Sequence, residues 1–260
     1  MRILLFGNNR LAARAAAALR AGGDEVVGLV LHPPARRRHG DEIAAAAGVD
    51  PSCAIDGSRL REPATVDAVR RLRADVGLSV LFGYVVPPVV LAALPAGCVN
   101  LHPSFLPYNR GAYPNVWSIV DRTPAGVTLH YMDEGIDTGD VIARREVPVE
   151  PVDTGASLYG KLETAGLALL EEAWPLVRDG SAPRVPQSPE LGTGHRVRDV
   201  QRIDEIHLDR SYTARELIDV VRARTFPPHE GAYFYHNGRK VFVRVELTYG
   251  VPDEGTGAGQ

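Results

Sequence analysis

Residues 2–31 read RILLFGNNRLAARAAAALRAGGDEVVGLVL, and this stretch decides the fold class. Two short apolar runs, 2–7 and 25–31, flank an alanine-rich segment, 11–21, which ends at a Gly-Gly pair. Short apolar runs predict buried strands, and a segment closed by glycine predicts a helix. A strand, a helix and a second strand in this order are typical of a parallel sheet with crossover helices.

The same alternation continues along the chain. The pattern predicts helices at 41–47, 66–73, 88–94, 114–121 and 155–178. It predicts further strands at 75–81, 97–101, 127–132 and 141–148. The fold class predicted for this part of the chain is α/β, doubly wound, with a mostly parallel sheet.

Residues 179–194 are rich in Pro, Ser and Gly and interrupt every hydrophobic period. We therefore predict a domain boundary there. The large domain is expected at 1–185 and a small C-terminal subdomain at 195–250, followed by a flexible, glycine-rich tail at 251–260.

The small subdomain carries its own pattern. Residues 213–224 predict a helix, and the runs 231–235 and 240–247 predict a hairpin around Asn237-Gly238, a turn pair favoured between strands. This combination predicts an α+β or partial-barrel subdomain.

Composition narrows the class of protein. A chain of 260 residues can bury a real core, and its formal net charge of −3 gives no reason to expect a nucleic-acid partner. The two cysteines, Cys53 and Cys98, are far apart and lack Cys-x-x-Cys spacing. We expect both to be buried, reduced thiols rather than part of a disulfide or a zinc site.

The N-terminus lacks the basic region, apolar run and small-residue cleavage site of a secretory signal. Nowhere does the chain approach the roughly 20 consecutive apolar residues of a membrane span. A cytoplasmic protein without membrane contact is the expectation.

Polar groups follow the apolar runs at two places. Asn100 and His102 stand at the end of the predicted strand 97–101, and Asp137 follows the strand 127–132. An amide, an imidazole and a carboxylate are the groups that a carbonyl-transfer reaction needs for oxyanion stabilisation, protonation and orientation. His130 falls on the alternate phase of its strand, so we interpret it as structural or substrate-facing and not as a base.

These residues belong to longer motifs: Asn-x-His at 100–102, PSFLP at 103–107, NRG at 109–111 and GVTLHYMDEGIDTGD at 126–140. In this order and spacing they resemble the formyltransferases that use 10-formyltetrahydrofolate. That family includes glycinamide ribonucleotide, methionyl-tRNA and sugar N-formyltransferases, and the likeness covers about residues 1–245. The resemblance implies that Asn100, His102 and Asp137 are catalytic, with Asp137 preferred to Asp133 or Asp140, and that no metal takes part.

The resemblance also implies a site for 10-formyltetrahydrofolate as co-substrate. The segment after the strand 75–81 is similar to the family's folate loop, and the segment before Asp137 would flank the same cleft. Contacts there are expected to be mainly backbone and apolar. The predicted cofactor-binding residues are Phe82, Gly83, Tyr84, Val86, Asp133, Glu134 and Ile136.

Candidate acceptor-binding residues lie in two loops. Asn9 and Arg10 open the first helix, where backbone amides can receive a phosphate, although the Gly-x-Gly-x-x-Gly dinucleotide fingerprint is absent there. Tyr108, Asn109 and Arg110 lie in a proline-bounded loop that suits recognition of the amine.

Three further features have both a functional and a structural interpretation. Tyr113 and Trp117 line the pocket or belong to the core, and the basic run 36–39 is a phosphate clamp or a solvated loop. For the basic run we favour the solvated loop, because no aromatic residues are interleaved with it.

The acceptor is predicted from the C-terminal part. Residues 224–240, RTFPPHEGAYFYHNGRK, resemble the short tail of sugar N-formyltransferases, and residues 108–111 and 114–117 resemble the same branch of the family. Methionyl-tRNA formyltransferases normally carry a larger basic C-terminal barrel, whereas the charges after Val200 are nearly balanced here, which disfavours tRNA.

We therefore expect a small-molecule partner, a nucleotide-linked amino-deoxysugar, and from the resemblance alone a possible homodimer. Three alternatives stay open. The acceptor is a siderophore, antibiotic or peptide precursor; it is methionyl-tRNA; or the protein is a folate-binding module without turnover.

Overall fold

The computed structural model of the protein describes residues 1–188 and 190–250, so the predicted flexible tail 251–260 lies outside the described residues. In chain order the first nine strands are β1 (Arg2–Gly7), β2 (Glu25–Leu31), β3 (Ile55–Asp56), β4 (Val76–Val80), β5 (Cys98–His102), β6 (Arg110–Gly111), β7 (Gly126–Tyr131), β8 (Val141–Glu146) and β9 (Gly194–His195). All of them except β6 and β9 form one seven-stranded sheet in the order β3-β2-β1-β4-β5-β7-β8.

The sheet is mostly parallel. All neighbouring pairs from β3 to β5 run parallel, while β5–β7 and β7–β8 are antiparallel. Each parallel connection needs a crossover, which the intervening helical segments supply. The predicted α/β fold with a doubly wound, mostly parallel sheet is confirmed, and the antiparallel edge is the feature that the apolar pattern did not distinguish.

The helices are α1 (Arg10–Ala21), α2 (Gly40–Ala47), α3 (Pro63–Leu72), α4 (Pro88–Leu91), α5 (Pro114–Val120), α6 (Gly155–Arg178), α7 (Gln201–Asp204) and α8 (Ala214–Arg224). Residues of α1, α2 and α6 cover one face of the sheet, and residues of α3 and α4 cover the other. The alternation of β1 shows how the core is divided. Ile3 and Leu5 pack with residues of α1, α2 and α6, whereas Leu4 and Phe6 pack on the opposite face with residues of α3 and α4. Burying each such side chain fully contributes about 1.5–3 kcal/mol to the free energy of folding.

The face of the sheet that α3 and α4 cover changes from apolar to polar along β5. Cys98 still belongs to its apolar cluster, but the next two residues on that face are Asn100 and His102. Successive side chains of a strand alternate between faces, so these three share one side. In β7, Thr128 and His130 stand opposite His102 and Asn100. A polar patch therefore lies next to the apolar part of this face of the sheet. The loop after β5 is attached to the patch, because the Leu106 amide donates a hydrogen bond to the Thr128 hydroxyl.

Most predicted elements are present with shifted ends. The strands predicted at 97–101 and 141–148 run instead over Cys98–His102 and Val141–Glu146. The helix predicted at 66–73 begins at Pro63, because proline suits a first helical turn, and the helix predicted at 88–94 ends at Leu91. These ends depend on where a neighbouring element stops, which local patterns do not show.

The C-terminal part contains α8 and a hairpin of β10 (Tyr233–His236) with β11 (Arg239–Phe242). Asn237 and Gly238 both have positive φ, 48° and 73°, as a type I′ turn requires. The predicted hairpin is confirmed, with strands shorter than predicted. Together with α8, it makes the small C-terminal subdomain α+β.

Both cysteines are free, but only Cys98 is buried; Cys53 is exposed, because it ends a short 3-10 turn at the surface. Among the helices of residues 1–188 and 190–250, none is long and apolar enough to cross a membrane.

Candidate active site

Four polar side chains meet on the patch formed by β5 and β7. The Asn100 amide donates to Asp137 Oδ1 at 3.1 Å and lies 3.2 Å from His130 Nε2. Asp137 Oδ2 lies 3.5 Å from His102 Nε2, and Asp137 Oδ1 lies 3.5 Å from His130 Nε2. Asn100, His102 and His130 are buried, and Asp137 is nearly so. The cluster is thus a connected network around one carboxylate.

Asp137 follows β7 and reaches the cluster from the loop between β7 and β8. Its φ is 53°, a left-handed conformation that a non-glycine residue rarely adopts. The Gly111 amide donates to its Oδ2 at 2.9 Å. Asp133 shapes the same loop, because its carboxylate accepts from the Gly135 amide and the Thr138 hydroxyl.

The hydrogen bonds of each histidine indicate its tautomer. His130 Nδ1 lies 2.8 Å from the Tyr131 carbonyl, so Nδ1 carries the proton and Nε2 accepts from Asn100. His102 Nε2 lies 3.4 Å from the Asn109 carbonyl and also faces Asp137, so Nε2 carries the proton there. The other nitrogen of His102, Nδ1, is then an acceptor.

Burial and charge set the protonation of the pair. Burial lowers the pKa of His102 below its usual 6.5, and the nearby Asp137 carboxylate opposes this shift without overcoming it. Burial alone would raise the pKa of Asp137, but the His102 and His130 rings and the Gly111 amide outweigh it and hold that pKa well below its ordinary value. A neutral imidazole therefore stands beside an ionised carboxylate at neutral pH.

Comparison with known proteins shows the family to which the chain belongs. The family model described as formyl transferase matches residues 1–174. The chain belongs to the formyl transferase family. A second model, described as the N-formyltransferase dimerization C-terminal domain, matches residues 199–249. The predicted membership in the folate-dependent formyltransferases is confirmed.

Two relatives illustrate the range of formyltransferases that this chain is similar to. A methionyl-tRNA formyltransferase from Symbiobacterium thermophilum is 33% identical over 267 residues, which cover 99% of this chain and 79% of the relative. A dTDP-4-amino-4,6-dideoxyglucose formyltransferase from Mycobacterium bovis is 37% identical over 158 residues, which cover 60% of this chain and 67% of the relative.

Solved structures with the same fold include a 4-N formyltransferase from Francisella tularensis, with a TM-score of 0.83 and 28% identity over 95% of this chain and 98% of that one. Another is a formyltransferase from Anoxybacillus kamchatkensis in complex with UDP-4,6-dideoxy-4-formamido-L-AltNAc and tetrahydrofolate. Its TM-score is 0.59, with 30% identity over 78% of this chain and 89% of that one.

The loop predicted to bind folate follows β4 in this formyltransferase. Phe82 and Tyr84 pack around His32, with ring centroids 5.3 and 4.7 Å from the imidazole. Gly83 is exposed between them. Val86 is buried in the α3–α4 core, so its side chain does not line a cleft, and only its backbone is available.

The second predicted folate segment precedes Asp137. Asp133, Glu134 and Ile136 are all exposed, and Ile136 leaves 60% of its surface in solvent. Their exposure leaves them accessible, and their contact with folate stays a prediction.

Two predicted acceptor contacts need correction. Asn9 caps α1, since its side-chain oxygen accepts from the Ala12 amide while its nitrogen donates to the Val80 carbonyl at 2.9 Å. Asn109 is completely buried, and its amide nitrogen donates to the hydroxyls of Ser118 and Thr123. Both side chains hold the scaffold together because their hydrogen-bonding groups are already used inside the protein.

The other residues predicted to contact the acceptor differ in how exposed and how strongly hydrogen-bonded their side chains are. Arg10 is exposed at the start of α1, and Tyr108 is half-buried. Arg110 is held by Gln187, whose Oε1 accepts from Nε and Nη2 of the guanidinium at 3.1 and 2.8 Å. Trp117 is buried and stacks on His195 at 4.0 Å, which favours the core interpretation, whereas Tyr113 is 43% exposed.

Two members of the site, Gly111 and Gln187, were not predicted from the sequence. His130 was interpreted as structural or substrate-facing, and its position opposite Asn100 in the sheet is revealed only by the strand register. The signal for Gly111 was its place in the NRG motif, whereas nothing in the Pro-rich stretch singled out Gln187.

Proposed function

We propose that this protein transfers a formyl group from 10-formyltetrahydrofolate to the primary amine of a nucleotide-linked amino-deoxysugar. The observation that carries the proposal is the buried network of Asn100, His102, His130 and Asp137. In it, a neutral imidazole with a free acceptor nitrogen lies beside an ionised carboxylate, the arrangement needed to move one proton during acyl transfer.

The residues around this network fit the folate co-substrate. The aromatic cluster of His32, Phe82 and Tyr84 and the exposed side chains of Val85 and Ile136 offer apolar surface for a flat ring system. We assign the folate to the backbone of residues 82–86 and to the segment 133–136. When bound, 10-formyltetrahydrofolate supplies the activated formyl carbon.

His102 is assigned the proton transfer. Its Nδ1 accepts the proton that the acceptor amine loses as the new bond to the formyl carbon forms. The imidazolium is stabilised by Asp137, 3.5 Å away, and returns the proton to the folate nitrogen when the old bond to the formyl carbon breaks. Atoms and charge balance without any further reagent.

Asn100 is assigned the stabilisation of the oxyanion that forms during transfer. Both hydrogens of its amide are directed at present to Asp137 Oδ1 and His130 Nε2. Donation to the developing negative oxygen therefore requires one of these bonds to be exchanged, in keeping with catalytic hydrogen bonds that form only with substrate bound. His130 then acts as the resting partner of Asn100 and not as a base.

The sugar acceptor is supported by two of the similar proteins. The Mycobacterium bovis relative, named for dTDP-4-amino-4,6-dideoxyglucose, is 37% identical over 158 residues, and the Anoxybacillus kamchatkensis structure that contains UDP-4,6-dideoxy-4-formamido-L-AltNAc is 30% identical over 78% of this chain. The nearly balanced charge after Val200 offers little electrostatic attraction for a tRNA backbone. Arg10 and Tyr108 are the side chains left free to contact the acceptor.

Methionyl-tRNA is the second candidate acceptor. The observation in its favour is the 33% identity to a methionyl-tRNA formyltransferase over 99% of this chain. A small amine precursor and a folate-binding module without turnover are further outcomes that the same experiment detects.

The test is an acceptor screen with 10-formyltetrahydrofolate. Nucleotide-linked 3-amino and 4-amino sugars, simple amines and methionyl-tRNA are supplied one at a time. Tetrahydrofolate release and the formylated product are followed by absorbance and mass spectrometry, with His102→Ala as the inactive control. We expect formylation of an aminosugar nucleotide. Product only from tRNA or a simple amine contradicts the acceptor, and folate binding without any product contradicts the enzyme assignment.

We also propose a homodimer formed through residues 199–249, which match the dimerization domain. Tyr233, Tyr235 and Phe242 share one side of the hairpin, here called the aromatic face. Tyr235 and Phe242 leave 48% and 41% of their surface exposed. We assign the aromatic face to contact with a second copy of this chain.

A further inference from the structure

Two short segments between α6 and α7, residues 185–187 and 193–195, are here called the strap. Val185 pairs with Val141 at the start of β8, through bonds of 2.8 and 3.1 Å. Residues Gly194–His195 form a strand, β9, that runs parallel to β6 (Arg110–Gly111). The predicted interdomain boundary is thus bonded to the two loops that surround the catalytic network.

The attachment to β6 is close. The Arg110 amide donates to the Thr193 carbonyl at 3.0 Å, and the Ala112 amide donates to the His195 carbonyl at 2.9 Å. Gly111, with φ of 87°, leaves room for this approach, because a Cβ there would collide with the His195 carbonyl. The strap therefore positions Gly111, whose amide donates a hydrogen bond to Asp137 Oδ2.

Gln187 makes the second connection. Its side-chain amide nitrogen donates to the carbonyls of Asp137 and Gly139 at 2.9 and 2.8 Å. Its oxygen accepts from Arg110, as described above. All the hydrogen-bonding groups of this one side chain are used to join the loop of Asp137 to the loop of Gly111.

From these contacts we infer that Gln187 is a positioning residue that holds Asp137 in its catalytic place. The inference rests on the proposed function, in which Asp137 stabilises the His102 imidazolium. Asp137 has an unfavourable left-handed backbone, so its conformation persists only where surrounding bonds maintain it. Gln187 bonds the backbone of Asp137, and Gly111 bonds its carboxylate.

Two substitutions distinguish the role of the Gln187 side-chain nitrogen, which donates, from that of its oxygen, which accepts. Gln187→Met keeps the length and removes every hydrogen bond. Gln187→Glu keeps the acceptor for Arg110 but removes the donors to Asp137 and Gly139. Gln201→Met is the matched control, because Gln201 is exposed on α7.

Both Gln187 variants are expected to lose about 10- to 100-fold in kcat, since small displacements of catalytic groups cost rates of this size. KM is expected to change little, and amide hydrogen exchange in peptides covering 131–141 is expected to accelerate. Gln201→Met should match the wild type in all three. Wild-type kcat and exchange in Gln187→Glu would show that the residue serves Arg110 only and would overturn the inference.

A double-substitution cycle with Asp137→Asn tests whether the loss in kcat of Gln187→Met arises through the Asp137 carboxylate. If Gln187 acts through the Asp137 carboxylate, Gln187→Met adds little to the loss in kcat caused by Asp137→Asn. Full additivity indicates a general structural role and contradicts the inference. Hydrogen exchange reports on the loop even where turnover is too slow to compare.

The same cycle separates this inference from the proposed function. Wild-type kcat in Asp137→Asn means that the catalytic assignment fails, whatever Gln187 does. Slow turnover in Asp137→Asn with normal turnover in Gln187→Met overturns only the role of Gln187.

Discussion

The imidazole of His102 is subject to two opposing influences, burial and the charge of Asp137. Burial is the larger, so the pKa of His102 lies below 6.5 and the ring is neutral at pH 7. The neighbouring His130 ring adds to the lowering of the His102 pKa. Since the neutral ring accepts the proton in the proposed mechanism, activity is complete at neutral pH and lost as the pH falls through the His102 pKa.

We therefore predict that kcat, measured with both substrates saturating, falls along an acid limb whose midpoint lies below pH 6.5. His102→Ala should lower kcat by about 10²- to 10⁴-fold and abolish that limb, with an unchanged circular-dichroism spectrum. His207→Ala, which alters an exposed histidine, is the control. Near-normal turnover in His102→Ala is the result that contradicts the mechanism.

Among the elements, α6 is the longest, and its two ends are stabilised differently. Thr154 and Ser157 form a capping box at the start, and Asp24 holds the last turn. The buried carboxylate of Asp24 accepts from Trp174 at 2.8 Å, from Arg178 and from the N-terminal amine of Met1. Asp24 thereby attaches α6 to the loop between α1 and β2.

Asp24→Asn should lower the free energy of unfolding by about 3 kcal/mol at pH 7, since it removes one member of a buried charge cluster. Burial raises the pKa of Asp24, but its bonds to Arg178 and the N-terminus outweigh that and lower it below 3.8. The stabilisation is thus present above pH 3.8 and lost as the pH falls through the lower, folded-state pKa. Urea unfolding at several pH values measures it.

Asp67→Asn is the control for this prediction, because it breaks an exposed Asp67–Arg70 pair on α3. A surface pair of this kind contributes about 0–1 kcal/mol. Equal losses of stability in the two variants would contradict the role given to Asp24.

At the scale of the whole molecule, the aromatic face determines the predicted assembly. Sedimentation equilibrium should give twice the mass of one chain for the wild type, and the double variant Tyr235→Glu, Phe242→Glu should sediment as a monomer, because charges are costly in a closed apolar interface. His236→Glu, on the other side of β10, should stay dimeric. A dimeric double variant, or a monomeric wild type, contradicts this assignment.

The sequence by itself determined the local elements and the family. The βαβ order of residues 2–31, the exact span of α6 and the turn at Asn237-Gly238 followed from short-range rules, which need only neighbouring residues. Asn100, His102 and Asp137 were found through motifs of fixed spacing, and the structure brings them together.

Only the tertiary structure decided which polar side chains are free. Asn9 and Asn109 face inward, His130 meets Asn100 across two strands, and Gln187 joins two loops that are distant in sequence. Each of these outcomes depends on strand register or on a partner far along the chain. A hydrogen bond between distant residues leaves no periodic signal, because its geometry is set when the sheet and loops pack together.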